Sequence, residues 1–161
     1  MPDGKTHKLI GTGTGAIYAA YRAKEQNTLD FWIEIAGGAV GGYVGGLLPD
    51  IIEPATSPSH RAMAHSYAAG GGVVAMKNVL AALEATFREN ALNCRAIPTA
   101  RQDNAFVPVP IDPISQFLLK VAELFWRLLA GFVNGLAAGY VSHLALDAAT
   151  PRSLPLLGAG R

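Results

Sequence analysis

Residues 36–46 read Ala-Gly-Gly-Ala-Val-Gly-Gly-Tyr-Val-Gly-Gly, so that a pair of glycines recurs every four residues. The pairs lie in an apolar run from Thr28 or Leu29 to Leu48, which is predicted to be a helix that Pro49 stops. An interior glycine costs a helix about 0.5–1 kcal/mol relative to alanine, and this run contains six. Close contact between helix backbones is the usual compensation, so we predict that neighbouring helices pack tightly against it.

Three further helices are predicted around this one. The first spans about residues 6–24. The third extends from residue 58 or 60 to residue 89, and the glycine triplet at 70–72 can bend or break it. The fourth begins at Asp112-Pro113, a typical helix start, and runs to about Ala149. The predicted fold is therefore all-α, a compact bundle of about four main helices in a single domain over residues 1–161.

Glycine spacing also links the helices to their polar ends. In the fourth helix, the glycines at 131, 135 and 139 are followed at the same spacing by His143 and Asp147. In the first helix, His7 precedes the glycines at 11 and 15 in the same way. The glycines are thus predicted to bring the helices together and to leave acids and imidazoles near the helix ends. By contrast, about residues 93–112 show no hydrophobic period and are predicted to form a long loop.

The composition restricts the class of protein. Half of the residues are apolar and only 16% are charged, against roughly 25% in an ordinary soluble domain. This deficit indicates a membrane, a large partner interface or an unusually buried chain. The net charge of +1 gives no strong nucleic-acid footprint. Cys94 is the only cysteine, which excludes a disulfide framework and a cysteine-based zinc knuckle.

Membrane association is favoured over a soluble form. Residues 35–49 and 128–146 contain no Asp, Glu, Lys or Arg, although a spanning helix needs about 20 such residues. The first half of the fourth helix carries a polar face formed by Gln116, Lys120, Glu123 and Arg127. That half is predicted to lie on a surface or to face a partner. Integral, peripheral and soluble-but-assembled forms stay open, among them a homo-oligomer or a cytoplasmic, particle-associated protein. The N-terminus lacks a signal-peptide layout, so the active face is expected in the cytoplasm.

All four histidines stand in short motifs that also contain acids. The sharpest is His143-Leu-Ala-Leu-Asp147, because residues four apart on a helix lie one above the other and can share a cation. Upstream, Asp50 and Glu53 follow Pro49, and His60 and His65 come soon after. Imidazole and carboxylate ligands together are typical of zinc hydrolases. The pattern therefore predicts a metal-dependent hydrolase.

The ordered motifs resemble a known family, the bacterial and phage inner-membrane-associated metal-dependent hydrolases. They are His7, Leu48-Pro49-Asp50, His60-Arg61, His65-Ser66, and residues 139–143 with Asp147, Thr150 and Pro151. That family is distantly similar in fold to zinc phospholipase C and related single-strand nucleases. The resemblance implies a location at the bacterial inner membrane or on its cytoplasmic face. It also implies zinc ligands, which carry over to His7, Asp50, His65, His143 and Asp147.

The chain departs from the family pattern at two points. Ile52 stands where the family commonly has a second acid, with Glu53 next to it, and no histidine follows His143. The ligand count therefore supports one zinc or other divalent ion, or at most two. His60 is a further candidate ligand. Water activated by the metal is expected to attack a phosphoester or lipid-like substrate, with Glu53 as base and Arg61 steadying the negative charge.

Each of these residues also has a non-catalytic interpretation. Asp50 can be a turn residue, His65 a core histidine bonded to a carbonyl, and His7 and Glu53 solvated groups. The competing function is a non-catalytic helical membrane or assembly protein with a structural metal site. A closed four-ligand site would favour that alternative, because catalytic zinc keeps one coordination position for water.

Overall fold

The computed structural model describes residues 4–54, 63–96, 99–102, 105–108 and 111–149. These contain six helices, α1 Gly4–Ala23, α2 Thr28–Gly45, α3 Leu48–Ile52, α4 Tyr67–Ala75, α5 Lys77–Ala96 and α6 Pro113–Ala148. A small antiparallel hairpin pairs β1 Thr99–Gln102 with β2 Ala105–Pro108. The all-α class is confirmed, since the hairpin is the one sheet among the described residues.

Capping side chains fix the starts of the two longest apolar helices. The Asn27 side chain accepts a hydrogen bond from the backbone N–H of Asp30 at the start of α2. Asp112 accepts hydrogen bonds from the amides of the first turn of α6, where Pro113 stands in the first position. Both caps satisfy backbone donors that a helix start leaves unpaired. The predicted start of the fourth helix is confirmed.

Three predicted boundaries are wrong. Pro49 does not stop the helical path, because it lies in the first turn of α3, where a proline needs no backbone N–H. The predicted third helix is two helices, α4 and α5, which separate at Met76 and not at the glycine triplet inside α4. The predicted loop 93–112 begins too early, since α5 continues to Ala96 and the hairpin follows it.

The glycine pairs make α2 the centre of the bundle. A Cβ atom added at Gly38 or Gly42 would approach backbone atoms of Gly15 or Gly11 of α1 to within 3.0 Å. A Cβ atom added at Gly37, Gly41 or Gly45 would come equally close to backbone carbonyl groups of α6. Because a side chain at any of these positions would meet backbone, the predicted compensation by close helix contact is confirmed.

The bundle has a polar interior and an apolar exterior. Among the described residues, the buried hydrophobic side chains are five alanines and Leu144, whereas eleven buried residues are polar or charged. Large apolar side chains lie outside, such as Trp32 and Phe117, which are 61% and 66% exposed. A water-soluble domain shows the reverse arrangement. Two segments, Thr28–Ile52 and Pro113–Ala148, are also long and apolar enough to cross a membrane.

The polar face predicted on the first half of α6 is only partly at the surface. Glu123 and Arg127 are buried, and their partners come from other helices. Arg127 pairs with Asp30 at 3.0 Å and with Glu34 at 3.2 Å, both on α2, while Glu123 pairs with Arg95 of α5. The prediction of a surface-lying or partner-facing helix is therefore wrong here, because α5 and α2 cover this face and neutralise its charges.

Candidate metal centre

Five of the six predicted metal ligands converge at one end of the bundle. His7 comes from the second turn of α1, Asp50 from α3, and His143 and Asp147 from the last turns of α6. His65 comes from the segment that leads into α4. The close packing of α1, α2 and α6 through glycine brings these helix ends together, as the four-residue spacing predicted.

His143 lies at the middle of the cluster. Its Nδ1 lies 2.7 Å from the carbonyl oxygen of Gly46, and because a carbonyl only accepts, Nδ1 carries the proton. When the ring is neutral, the lone pair of Nε2 therefore points into the cluster. That atom is 3.3 Å from His65 Nε2, 3.7 Å from Asp50 Oδ1 and 3.5 Å from Asp147 Oδ2.

The spacings of the two histidine Nε2 atoms from each other and from the carboxylate oxygens are close to those between ligands of a tetrahedral metal ion. Ligand atoms at about 2.0–2.1 Å from a zinc ion lie about 3.3–3.4 Å from one another. His65 Nε2 completes the set, at 3.3 Å from Asp50 Oδ1 and 3.8 Å from Asp147 Oδ2. His65, His143 and Asp147 are fully buried, whereas Asp50 is 34% exposed and marks the side that faces outward.

His7 belongs to the same cluster on the side of Asp147. Its Nε2 lies 3.6 Å from Asp147 Oδ1, and its ring stacks on that of His143 with the centroids 3.8 Å apart. Burial, together with the neighbouring His143, lowers the pKa of His7, so the ring is neutral near pH 7. Its buried Nδ1 has no hydrogen-bond partner among the described residues. His7, His143 and Asp147 form a second triad whose ligand atoms lie within 4.8 Å of one another.

Glu53 contacts the His65 ring at Nδ1, whereas Nε2 of the same ring faces the cluster. Its carboxylate accepts a hydrogen bond from the backbone N–H of Met63 at 2.5 Å, and its Oε2 lies 3.3 Å from Nδ1 of His65. Burial alone would raise the pKa of Glu53, but hydrogen bonds from the amides of Met63 and Ala64 and from His65 lower it overall. These contacts favour a role in orienting His65 over the predicted role as a base.

Two contributors to the site were not predicted. The hydroxyl of Tyr140 donates to the carbonyl oxygen of Ala64 at 2.7 Å and so fixes the segment that carries His65 onto α6. Its one sequence signal is its position three residues before His143, on the same side of a helix. Gly46, which holds the His143 ring through its carbonyl group, has no side chain by which sequence could reveal this role.

Other predicted residues fall elsewhere. His60 and Arg61 lie outside the described residues, as do Thr150 and Pro151 of the family motif. Ser66 donates from Oγ to the carbonyl oxygen of Met63 and accepts from the amide of Ala69. It therefore caps α4 and belongs to the local structure of the turn.

The fold and the site together describe a helical bundle with an apolar exterior, two helices long enough to cross a membrane and a buried histidine–carboxylate cluster. Comparison with models of protein families identifies the family of the chain. Residues 1–158 match the model of the YdjM inner membrane protein family, so the chain belongs to that family. The predicted inner-membrane location is thereby confirmed. Neither the curated proteins nor the solved structures contain a match.

Proposed function

We propose that this inner-membrane protein is a metal-dependent hydrolase of phosphoesters. The observation that carries the proposal is the convergence of Asp50 and Asp147 on His65 and His143. The Nε2 atoms of the two histidines lie 3.3 Å apart, and each lies 3.3–3.8 Å from an oxygen of both carboxylates. Charged and polar groups inside a membrane bundle are costly and usually serve function. The substrate class rests on the resemblance to zinc phospholipase C and is an argument by analogy.

Each residue of the cluster has its own role in the proposed hydrolysis. His65 and His143 supply neutral nitrogens, and Asp50 and Asp147 supply the negative charge that balances a divalent cation. A zinc ion held by them supplies a Lewis acid that lowers the pKa of water to about 7. Glu53 and the Gly46 carbonyl keep the two rings in their ligating orientation. Substrate approaches past Asp50, the partly exposed member of the set.

A structural metal site is the second candidate function. It is favoured by the complete burial of His65, His143 and Asp147, because structural zinc sites are closed whereas catalytic ones keep an open position. Membership of a family known by its inner-membrane location fits this alternative as well. In that case the ion would hold α3, α6 and the segment that leads into α4 together and would turn over no substrate.

A turnover assay with matched variants distinguishes a catalytic metal site from a structural one. The zinc-loaded protein in detergent is assayed with a phosphodiester, a phosphomonoester, a carboxylester and an amide. We expect slow phosphoester hydrolysis that Asp147→Asn abolishes, since the substitution removes a negative charge from the cation site. Asp112→Asn, at the far end of the same helix, is the control because asparagine caps a helix as well as aspartate does. Zinc retention without turnover on any ester or amide would favour the structural alternative.

A further inference from the structure

An apolar groove lies between α4 and α6 beside the candidate metal centre. It has a volume of about 220 Å³. Its walls are formed by Tyr67, Gly70, Gly71 and Val74 of α4 and by Val141, Leu144, Ala145 and Ala148 of α6. None of these eight residues carries a charge, and the hydroxyl of Tyr67 is their one polar side-chain group. Apolar cavities of about 150 Å³ bind small hydrocarbons, so this groove has room for a stretch of alkyl chain.

The groove and the metal centre occupy adjacent faces of α6. Leu144 and Ala148 of the groove directly follow His143 and Asp147 of the cluster. Consecutive residues on a helix are about 100° apart, so the two faces meet along one edge of α6. On the other wall, Tyr67 stands two residues after His65. A molecule in the groove therefore lies next to the cluster.

The outer edge of the groove is continuous with the apolar exterior of the bundle. Val74 and Tyr67 are exposed on α4, and Val141 is exposed on α6. In a bundle embedded in the inner membrane, these exposed apolar side chains would face the lipid phase, and an apolar occupant could enter the groove without crossing water. The adjacent cluster would then receive the polar end of the same molecule.

We propose that this groove holds an acyl chain of a membrane lipid whose phosphoester is hydrolysed at the metal centre, an inference that rests on the proposed function. Gly71 provides the means of testing it. A Cβ at Gly71 would meet no atom within 4 Å, so Gly71→Leu introduces a bulky side chain at the wall of the groove without a clash at its Cβ. Gly72 has equally free space but does not line the groove, so Gly72→Leu is the matched control on the same helix.

The first measurement is labelling by a phospholipid that carries a diazirine at the end of one acyl chain. We expect peptides from α4 and from the end of α6 to be labelled more strongly than the exposed outer face of α1, which does not line the groove. Gly71→Leu should reduce the groove labelling severalfold and Gly72→Leu should retain it. Labelling in Gly71→Leu equal to that of the natural sequence would overturn occupancy of the groove by an acyl chain.

The second measurement is the ratio of turnover on a long-chain phospholipid to turnover on a short, water-soluble phosphodiester. In Gly71→Leu this ratio should fall about tenfold, equivalent to about 1.4 kcal/mol, while Gly72→Leu keeps the ratio of the natural sequence. An unchanged ratio in Gly71→Leu would overturn the substrate role of the groove and leave hydrolysis itself standing. Absence of turnover on both esters by the zinc-loaded natural protein would overturn the proposed function, whatever the labelling shows.

Discussion

Two glycines on one helix test the packing of the bundle. Gly15 and Gly13 both lie inside α1, and alanine at either position improves helix propensity by about 1 kcal/mol. A Cβ at Gly15 would lie 2.7 Å from the Cα and 2.9 Å from the backbone N of Gly42, whereas one at Gly13 meets nothing within 4 Å. Because the two variants share the propensity gain, the difference between their unfolding free energies isolates the cost of the close contact. Overpacking of this kind costs about 1–3 kcal/mol or more.

The assay is equilibrium unfolding in mixed micelles, with loss of helical circular dichroism as the signal. Gly13→Ala should be more stable than the natural sequence, and Gly15→Ala should be less stable than Gly13→Ala by that difference. The same reasoning predicts that Gly41→Leu and Gly135→Leu are destabilised, since both positions also face backbone of a neighbouring helix. Equal stabilisation by Gly15→Ala and Gly13→Ala would show that α1 and α2 do not touch at this glycine.

Three further predictions concern the buried charges and the metal. Metal occupancy should fall as the pH drops through about 6 and recover when the pH is raised, because an imidazole must be neutral to bind a metal. The lowered pKa of His7 keeps that ring neutral to a lower pH. Occupancy that is unchanged at pH 4 would exclude histidine ligands. Arg127→Met should destabilise by about 1–3 kcal/mol, because buried Asp30 then keeps only Arg95 and buried Glu34 keeps only Arg88 as a cationic partner. Lys24→Met at the surface should change stability little, and equal unfolding midpoints would contradict the buried network. Glu53→Gln should weaken zinc binding about 10–100-fold in a chelator competition, since His65 loses an orienting carboxylate, and unchanged affinity would contradict that role.

The parts of the fold that follow from local chemistry could be predicted from sequence. The glycine pairs of α2 predict close packing because their cost to the helix has few compensations other than backbone contact. The proximity of His143 and Asp147 follows from helix periodicity. By contrast, the break at Met76 and the hairpin after α5 have no strong local signal. The glycine triplet at 70–72 indicated a bend or break, but α4 continues through it.

The buried ion pairs between helices could not be predicted from the sequence. Glu123 and Arg127 are four residues apart, a spacing that also describes an exposed helix pair in water. Their actual partners, among them Asp30 and Arg95, are distant in sequence and are brought near only by the packing of α2 and α5 on α6. Long-range pairing of this kind depends on tertiary structure, so periodicity along one helix could not reveal it.

The most direct test of the metal centre is the zinc content of the purified protein. Elemental analysis after purification without chelator should give about one ion per chain, since both ligand triads use His143 and one imidazole nitrogen binds one ion. His143→Ala should lose most of the metal, because it removes the ligand common to both triads. Ser142→Ala, which changes only a hydroxyl that donates to its own helix, should keep the metal. Stoichiometric zinc in His143→Ala, or a natural protein that takes up no metal even when zinc is supplied, would contradict the assigned site.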